Sequence, residues 1–208
     1  SYMLDKYSVH DETRKKALNL YSGYLKISGG KRVVDKYPEL IFRTSFVNTI
    51  FNDPLFIFIA RNGYDTLESI SNWSNNLGKT NNNTEDWWGL NDRKWNLMCE
   101  QLIKKSKLLK NNYSQLIQFK NHKDRATVEW ILTMEQGLEI ISSNPKNVLF
   151  LKYEDLIENP YSILKEILNF SNLDYDQKMF KYASTVLRKS SNKKCQINPI
   201  LEIPFNKI

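Results

Sequence analysis

Apolar and polar residues recur with changing periods along this chain. Between residues 11 and 26, Ala17, Leu18, Tyr21 and Leu25 fall on one face at helical spacing, which predicts an amphipathic helix. Arg32 to Asp35 reads as a short strand that delivers Lys36 to its end, and Ile41 to Phe51 reads as a helix. Phe56-Ile57-Phe58-Ile59-Ala60 is an unbroken apolar run, the pattern of a buried strand. Asn62-Gly63 then makes a turn, with a helix beginning near Tyr64 or Asp65. The stretch from Asn75 to Asp92 holds three consecutive asparagines and reads as a mobile loop with Trp87 and Trp88 at its far side. Trp95 to Leu109 and Asp124 to Ser142 read as two helices joined near His122, the second carrying Trp130, Ile131, Leu132, Met134, Leu138 and Ile141 on an apolar face. Val148 to Lys152 is a second short apolar run and predicts another strand. A Tyr153-Glu154-Asp155-Leu156 turn follows, then Asn159 as N-cap and Pro160 at the first position of a helix ending near Phe170.

Strands separated by helices predict an α/β domain with a short, mainly parallel sheet at residues near 32–35, 55–60 and 148–152. No internal repeat is present, and 208 residues suffice for one domain, 1–208, with its own core.

Charge narrows the partners. Thirty basic against 23 acidic residues give a net +7, which suits an anionic ligand. Basic runs such as Lys104-Lys105, Arg188-Lys189 and Lys193-Lys194 are short and scattered, so nucleotide phosphates fit better than nucleic acid, which prefers a basic face. Two cysteines far apart in sequence and two histidines give no metal-ligand spacing, and no metal is expected. Two free thiols suit a reducing, cytoplasmic compartment. No apolar run reaches transmembrane length and no signal peptide is visible. Asparagine fills 23 positions, so four N-x-[ST] sequons are close to the about three that chance supplies and are no evidence for secretion.

The candidate chemistry begins at Arg61, placed where the strand 56–60 should end, with Ser69 eight positions further on, about one turn into the next helix. Ligands of open α/β sheets sit at that edge. A guanidinium there suits bidentate phosphate recognition, and a hydroxyl along the helix can converge on the same anion. The plainer alternative is a surface arginine beside a helix-face serine.

Arg61 with Ser69, Lys36-Tyr37-Pro38 ahead of a helix, Phe51-Asn52-Asp53-Pro54 leading into a strand, Trp130 on a long helix, and the segment Val148 to Pro160 occur here in one order. In that order and spacing, from about Lys36 to about Ser191, the chain resembles the sulfotransferases that use 3′-phosphoadenosine 5′-phosphosulfate (PAPS). The likeness is nearer to the bacterial, tyrosyl-protein and carbohydrate enzymes than to the cytosolic steroid and phenol enzymes. The resemblance implies a P-loop-NTPase-like α/β fold, PAPS as donor, 3′-phosphoadenosine 5′-phosphate (PAP) as product, and a hydroxyl acceptor.

The same resemblance assigns roles. Arg61 and Ser69 would take the 3′-phosphate, and Tyr153 the adenine side, or else Tyr153 is a core tyrosine. Lys36 would stand near the transferring sulfonate, or else it is one of many solvated lysines. Lys189 and Ser190 would belong to a basic, hydroxyl-bearing loop over the 3′-phosphate, where a solvated turn would look alike. Glu12 is the candidate general base, against the alternative of a first-turn residue favoured by the helix dipole. Glu154 and Asp155 are expected to hold the strand-to-helix corner through backbone hydrogen bonds.

One departure stands out. The family's 5′-phosphosulfate loop, G-x-x-[KR]-[ST]-G-[ST], has no match before Lys36, and Ser28-Gly29-Gly30-Lys31-Arg32 reads as a turn. The chain starts at Ser1 rather than Met, so the expectation is a domain incomplete at its N-terminus. The alternative to a working transferase is an inactive or truncated relative that binds a nucleotide, another anion or a partner.

Overall fold

The computed structural model describes residues 1–77, 87–187 and 194–208. Its centre is a parallel pair of strands, β1 (Phe56–Ala60) and β2 (Val148–Lys152), in the register Phe56 with Val148 through Ala60 with Lys152. Parallel pairing requires a long crossover between the strands. The chain supplies it through α3 (Gly63–Asn72), α4 (Arg93–Gln101), α5 (Tyr113–Leu116) and α6 (His122–Ser143). α1 (Asp11–Ser28) and α2 (Thr44–Ile50) precede β1, and α7 (Tyr153–Glu158), α8 (Pro160–Phe170), α9 (Gln177–Val186) and α10 (Pro199–Asn206) follow β2. The result is a mixed α/β fold, mostly helical around a short parallel sheet.

The core lies beside the sheet rather than within it. Leu67 and Ile70 of α3 share one buried cluster with Ala126, Val128 and Ile131 of α6 and with Trp88, Trp95, Met98, Ile103 and Leu116. α6 is the longest helix, started by Asn121, whose side chain accepts from the backbone N–H groups of Lys123 and Asp124. It also backs the sheet. Gly137 of α6 lies against the ring of Phe58, where any added Cβ would run into the aromatic carbons.

Several predicted elements take a different form. Residues 32–35 form no strand: they pair with neither β1 nor β2, and Val34 is 82% exposed, with no layer to bury it. Instead, polar contacts hold that segment: Arg32 pairs with Asp53 at 2.7 Å and the Tyr21 hydroxyl donates to Asp35. The helix expected over 41–51 is split into a 3-10 turn, Pro38–Arg43, and α2. The helix expected over 95–109 ends at Gln101 and gives way to short 3-10 turns at Ile103–Lys105 and Lys110–Asn112. Here the Ser106 hydroxyl accepts from the backbone N–H of Leu109, and Glu135 of α6 accepts from the Ser106 hydroxyl and the Lys107 N–H. Local side-chain bonds of this kind compete with helix continuation. The YEDL turn is itself a helix, α7.

The mobile loop expected from Asn75 to Asp92 falls partly outside the described residues. Trp88, placed at its far side, is fully buried and belongs to the core. Its indole N–H donates to His122 Nδ1 at 2.8 Å.

Candidate active site at the carboxyl edge of the sheet

Because Ala60 and Lys152 are the last register pair, the two chains leave the sheet side by side, and Arg61 and Tyr153 come out at the same edge. The Arg61 guanidinium carbon lies 5.3 Å from the centroid of the Tyr153 ring. Such stacking fixes a planar cation without using its hydrogen-bond donors.

Four bonds hold the Arg61 turn. Trp130 on α6 donates its indole N–H to the Arg61 carbonyl at 3.1 Å. The backbone N–H of Asn62 donates to the Glu154 carboxylate at 2.9 Å. Asn62 caps α3 by accepting from the Asp65 N–H, and Thr66 returns its hydroxyl proton to the Asn62 carbonyl at 2.9 Å. Glu154 thus does what the sequence suggests, tying the two strand-to-helix corners together. Gly63, the first residue of α3, sits under the rings of Phe205 and Trp130, and a Cβ there would collide with Phe205.

Arg61 is half-buried, and its Nε is enclosed without a hydrogen-bond partner. Leaving a buried donor unsatisfied costs about 1–3 kcal/mol. An acceptor arriving from outside would recover that cost, and an oxyanion is the strongest acceptor available to a guanidinium.

The remaining candidates are placed as follows. Ser69 is exposed as the seventh residue of α3, about 9 Å along the axis from Gly63. It lies two turns into the helix rather than the one turn expected, and Thr66, Ser69 and Trp73 share a face by their spacing of three and four. Lys36 is exposed in an irregular segment before the Pro38–Arg43 turn, not at the end of a strand. Glu12 is exposed in the first turn of α1 and pairs with Lys16 at 2.6 Å. Ser28 to Arg32 closes α1, with Gly29 in the left-handed conformation (φ +62°) at the C-cap. Lys189 and Ser190 lie outside the described residues. No group of three or more His, Cys, Asp or Glu side chains gathers as metal ligands would among the described residues. Cys99 is buried, and burial pushes its thiol up to about 11, so it stays protonated at neutral pH.

Sequence reasoning gave no role to the Trp130 indole, whose only signal was its place on the long helix. It also missed a buried charged cluster around Glu129, although a glutamate inside the apolar run of α6 was a visible cue.

No helix of the described residues is long and apolar enough to cross a membrane. No curated protein matches the chain in sequence. Among solved structures, one described as "Sulfotransferase Domain from the Curacin Biosynthetic Pathway" matches with 16% identity and a TM-score of 0.49, over 82% of this chain and 53% of that one. The chain therefore spans about half the length of that structure. Residues 9–203 match the family described as the sulfotransferase domain. That match covers nearly the whole chain, and the chain belongs to the sulfotransferase family.

Proposed function

We propose that this chain binds PAPS at the carboxyl edge of its sheet and moves the sulfuryl group to a hydroxyl of a sugar, lipid, small metabolite or tyrosine. The observation that carries the reading is Arg61: a cation stacked on Tyr153, pinned through its carbonyl, and holding an enclosed Nε with no partner. An arginine kept in that state at a sheet edge suits an anion, and family membership makes the 3′-phosphate of the donor the natural one.

PAPS supplies a sulfuryl group activated by its phosphate, so that transfer makes a sulfur–oxygen bond to the acceptor, breaks the one to phosphate and releases PAP. In this reading Arg61 and Ser69 hold the 3′-phosphate, and Tyr153 flanks the adenine. Lys36 is a compact cation that offsets charge gathering on the phosphate side as the bond breaks. Glu12 is the base proposed for the acceptor proton; it would have to exchange its Lys16 partner for the acceptor hydroxyl. Lys189 and Ser190 are assigned to the 3′-phosphate by position in sequence alone. The compartment proposed is the cytoplasm, with neither metal nor nucleic acid involved.

A second reading is favoured by the glycine pair at 29–30, which closes α1 instead of cradling a phosphate. In it the fold binds an anionic nucleotide without turnover. A transfer assay separates the two. Sulfur-labelled PAPS is incubated with the full-length protein and a panel of hydroxyl acceptors, and labelled sulfate ester is measured. Ester formation that Lys36→Ala suppresses is the expected result. PAP binding with no transfer to any acceptor class would support the second reading instead.

A further inference from the structure

Beside Trp130 on α6 sits Glu129, and its carboxylate joins three elements. Lys94 of α4 lies 2.6 Å from one Glu129 oxygen, and Trp87 donates its indole N–H to the other at 2.6 Å. The Lys94 ammonium also lies 3.8 Å from Glu39 and 4.2 Å from the centre of the Trp87 ring. The side chains of Glu39 and Lys94 are each 14% exposed and that of Glu129 is 11% exposed. Tyr2 is buried nearby, and burial together with Glu129 and Glu39 pushes its hydroxyl up, so it stays a neutral phenol.

Charges this enclosed lose much of their attraction to desolvation, so the cluster is weak evidence for stability; fixing geometry is the better role for it. Its placement says what it fixes. Glu39 follows Lys36 by three residues, with Tyr37 and Pro38 between them. Lys36 is exposed on a segment with no regular structure, and Glu39 is the first partly enclosed charge after it. On α6 two neighbouring residues therefore hold the two halves of the site. Trp130 grips the Arg61 carbonyl, and Glu129, through Lys94, grips the segment that carries Lys36.

We propose that Lys94 is a positioning residue: the Glu39–Lys94–Glu129 bridge sets where Lys36 stands relative to Arg61, using α6 as the common ruler. The proposal rests on the reading of Lys36 and Arg61 given above.

The test uses the full-length protein carrying Lys94→Met, Lys94→Arg or Glu39→Gln. PAP affinity is measured by calorimetry, and turnover is measured as PAP released from PAPS, the sulfuryl group passing to an acceptor or to water. Lys94→Met is expected to lower turnover on the order of ten- to a hundredfold, the usual penalty for a misplaced catalytic group. PAP affinity should stay within about twofold, because Arg61 is untouched. Lys94→Arg should recover most of the rate, and Glu39→Gln, which keeps its volume, should show the same split more weakly.

Wild-type turnover in Lys94→Met, or loss of PAP affinity in step with turnover, would overturn the proposal. If Lys94→Met fails to fold, Glu39→Gln decides, and wild-type turnover there rejects the bridge. The underlying reading fails separately: normal turnover in Lys36→Ala removes it, whereas slow Lys36→Ala beside normal Lys94→Met removes only the bridge.

Discussion

Arg61→Ala is expected to weaken PAPS and PAP binding about ten- to a hundredfold, the loss of one charge-assisted phosphate contact on the order of 1.5–3 kcal/mol. Arg61 would hold the donor equally in the ground and transition states, so turnover at saturating donor should change little. Lys36→Ala should do the reverse, lowering turnover with a smaller effect on nucleotide affinity, since its charge matters only as the bond to phosphate breaks. Nucleotide titrations with steady-state kinetics on the full-length protein separate the two. The substitution at 61 should leave the fold intact, because the bond from Trp130 goes to a backbone carbonyl and only the Tyr153 stack is lost. Unchanged nucleotide affinity in Arg61→Ala, or normal turnover in Lys36→Ala, would refute these assignments.

Asp92→Ala should cause the largest loss of stability. Arg125 is 2% exposed, donates two bonds to the Asp92 carboxylate at 2.7 and 2.9 Å and a third to the Phe119 carbonyl, and stacks on Trp88 and Trp95. Removing the carboxylate leaves a buried guanidinium without its counter-charge, a change that costs about 3–5 kcal/mol in fully enclosed pairs. The Asp92 side chain is 38% exposed, so water can replace part of what it gave, and about 3 kcal/mol is expected. Asp92 also sits at φ +58°, a left-handed conformation that alanine resists and asparagine tolerates. Asp92→Asn should therefore lose less, and urea unfolding of both variants measures the difference.

The same pair predicts acid sensitivity. The hydrogen bonds from Arg125 hold the Asp92 carboxyl below the usual carboxylate range. A depressed folded-state value stabilises the fold above the ordinary carboxylate range and loses that contribution as pH falls toward the folded-state value. Asp92→Asn should flatten this part of the acid unfolding profile.

What was legible in the sequence follows from the range of the forces involved. The apolar runs of β1 and β2 marked both strands, and Arg61 with Tyr153 fell at one edge, but the pair is less buried than such runs suggest: Ile57, Ile59 and Phe150 are exposed. α6 and α8 were readable from their apolar faces, and α8 also from Pro160 at its first position, although Asn159 before it makes no capping bond. Residues 32–35 have the composition of a strand, but a strand forms only by pairing, and neither β1 nor β2 pairs with them. The region from Trp95 to Leu109 was misread as one helix, because Ser106 and Glu135 divert its backbone N–H groups through contacts that no local pattern shows. The Glu39–Lys94–Glu129 cluster is harder still, since its three charges come from elements far apart in sequence. Glu39 and Lys94 alone look like ordinary surface residues, and only Glu129, set in an apolar run, stands out.

The central claim is that Arg61 recognises a 3′-phosphate, and comparing PAP with AMP tests it most directly. AMP keeps the adenosine and the 5′-phosphate and lacks only the group assigned to Arg61. Calorimetry on the full-length protein should give PAP binding roughly tenfold or more tighter than AMP, the scale of one charge-assisted contact. Arg61→Ala should bring the two affinities together by weakening PAP alone. Equal affinities for PAP and AMP in the unaltered protein would contradict the account.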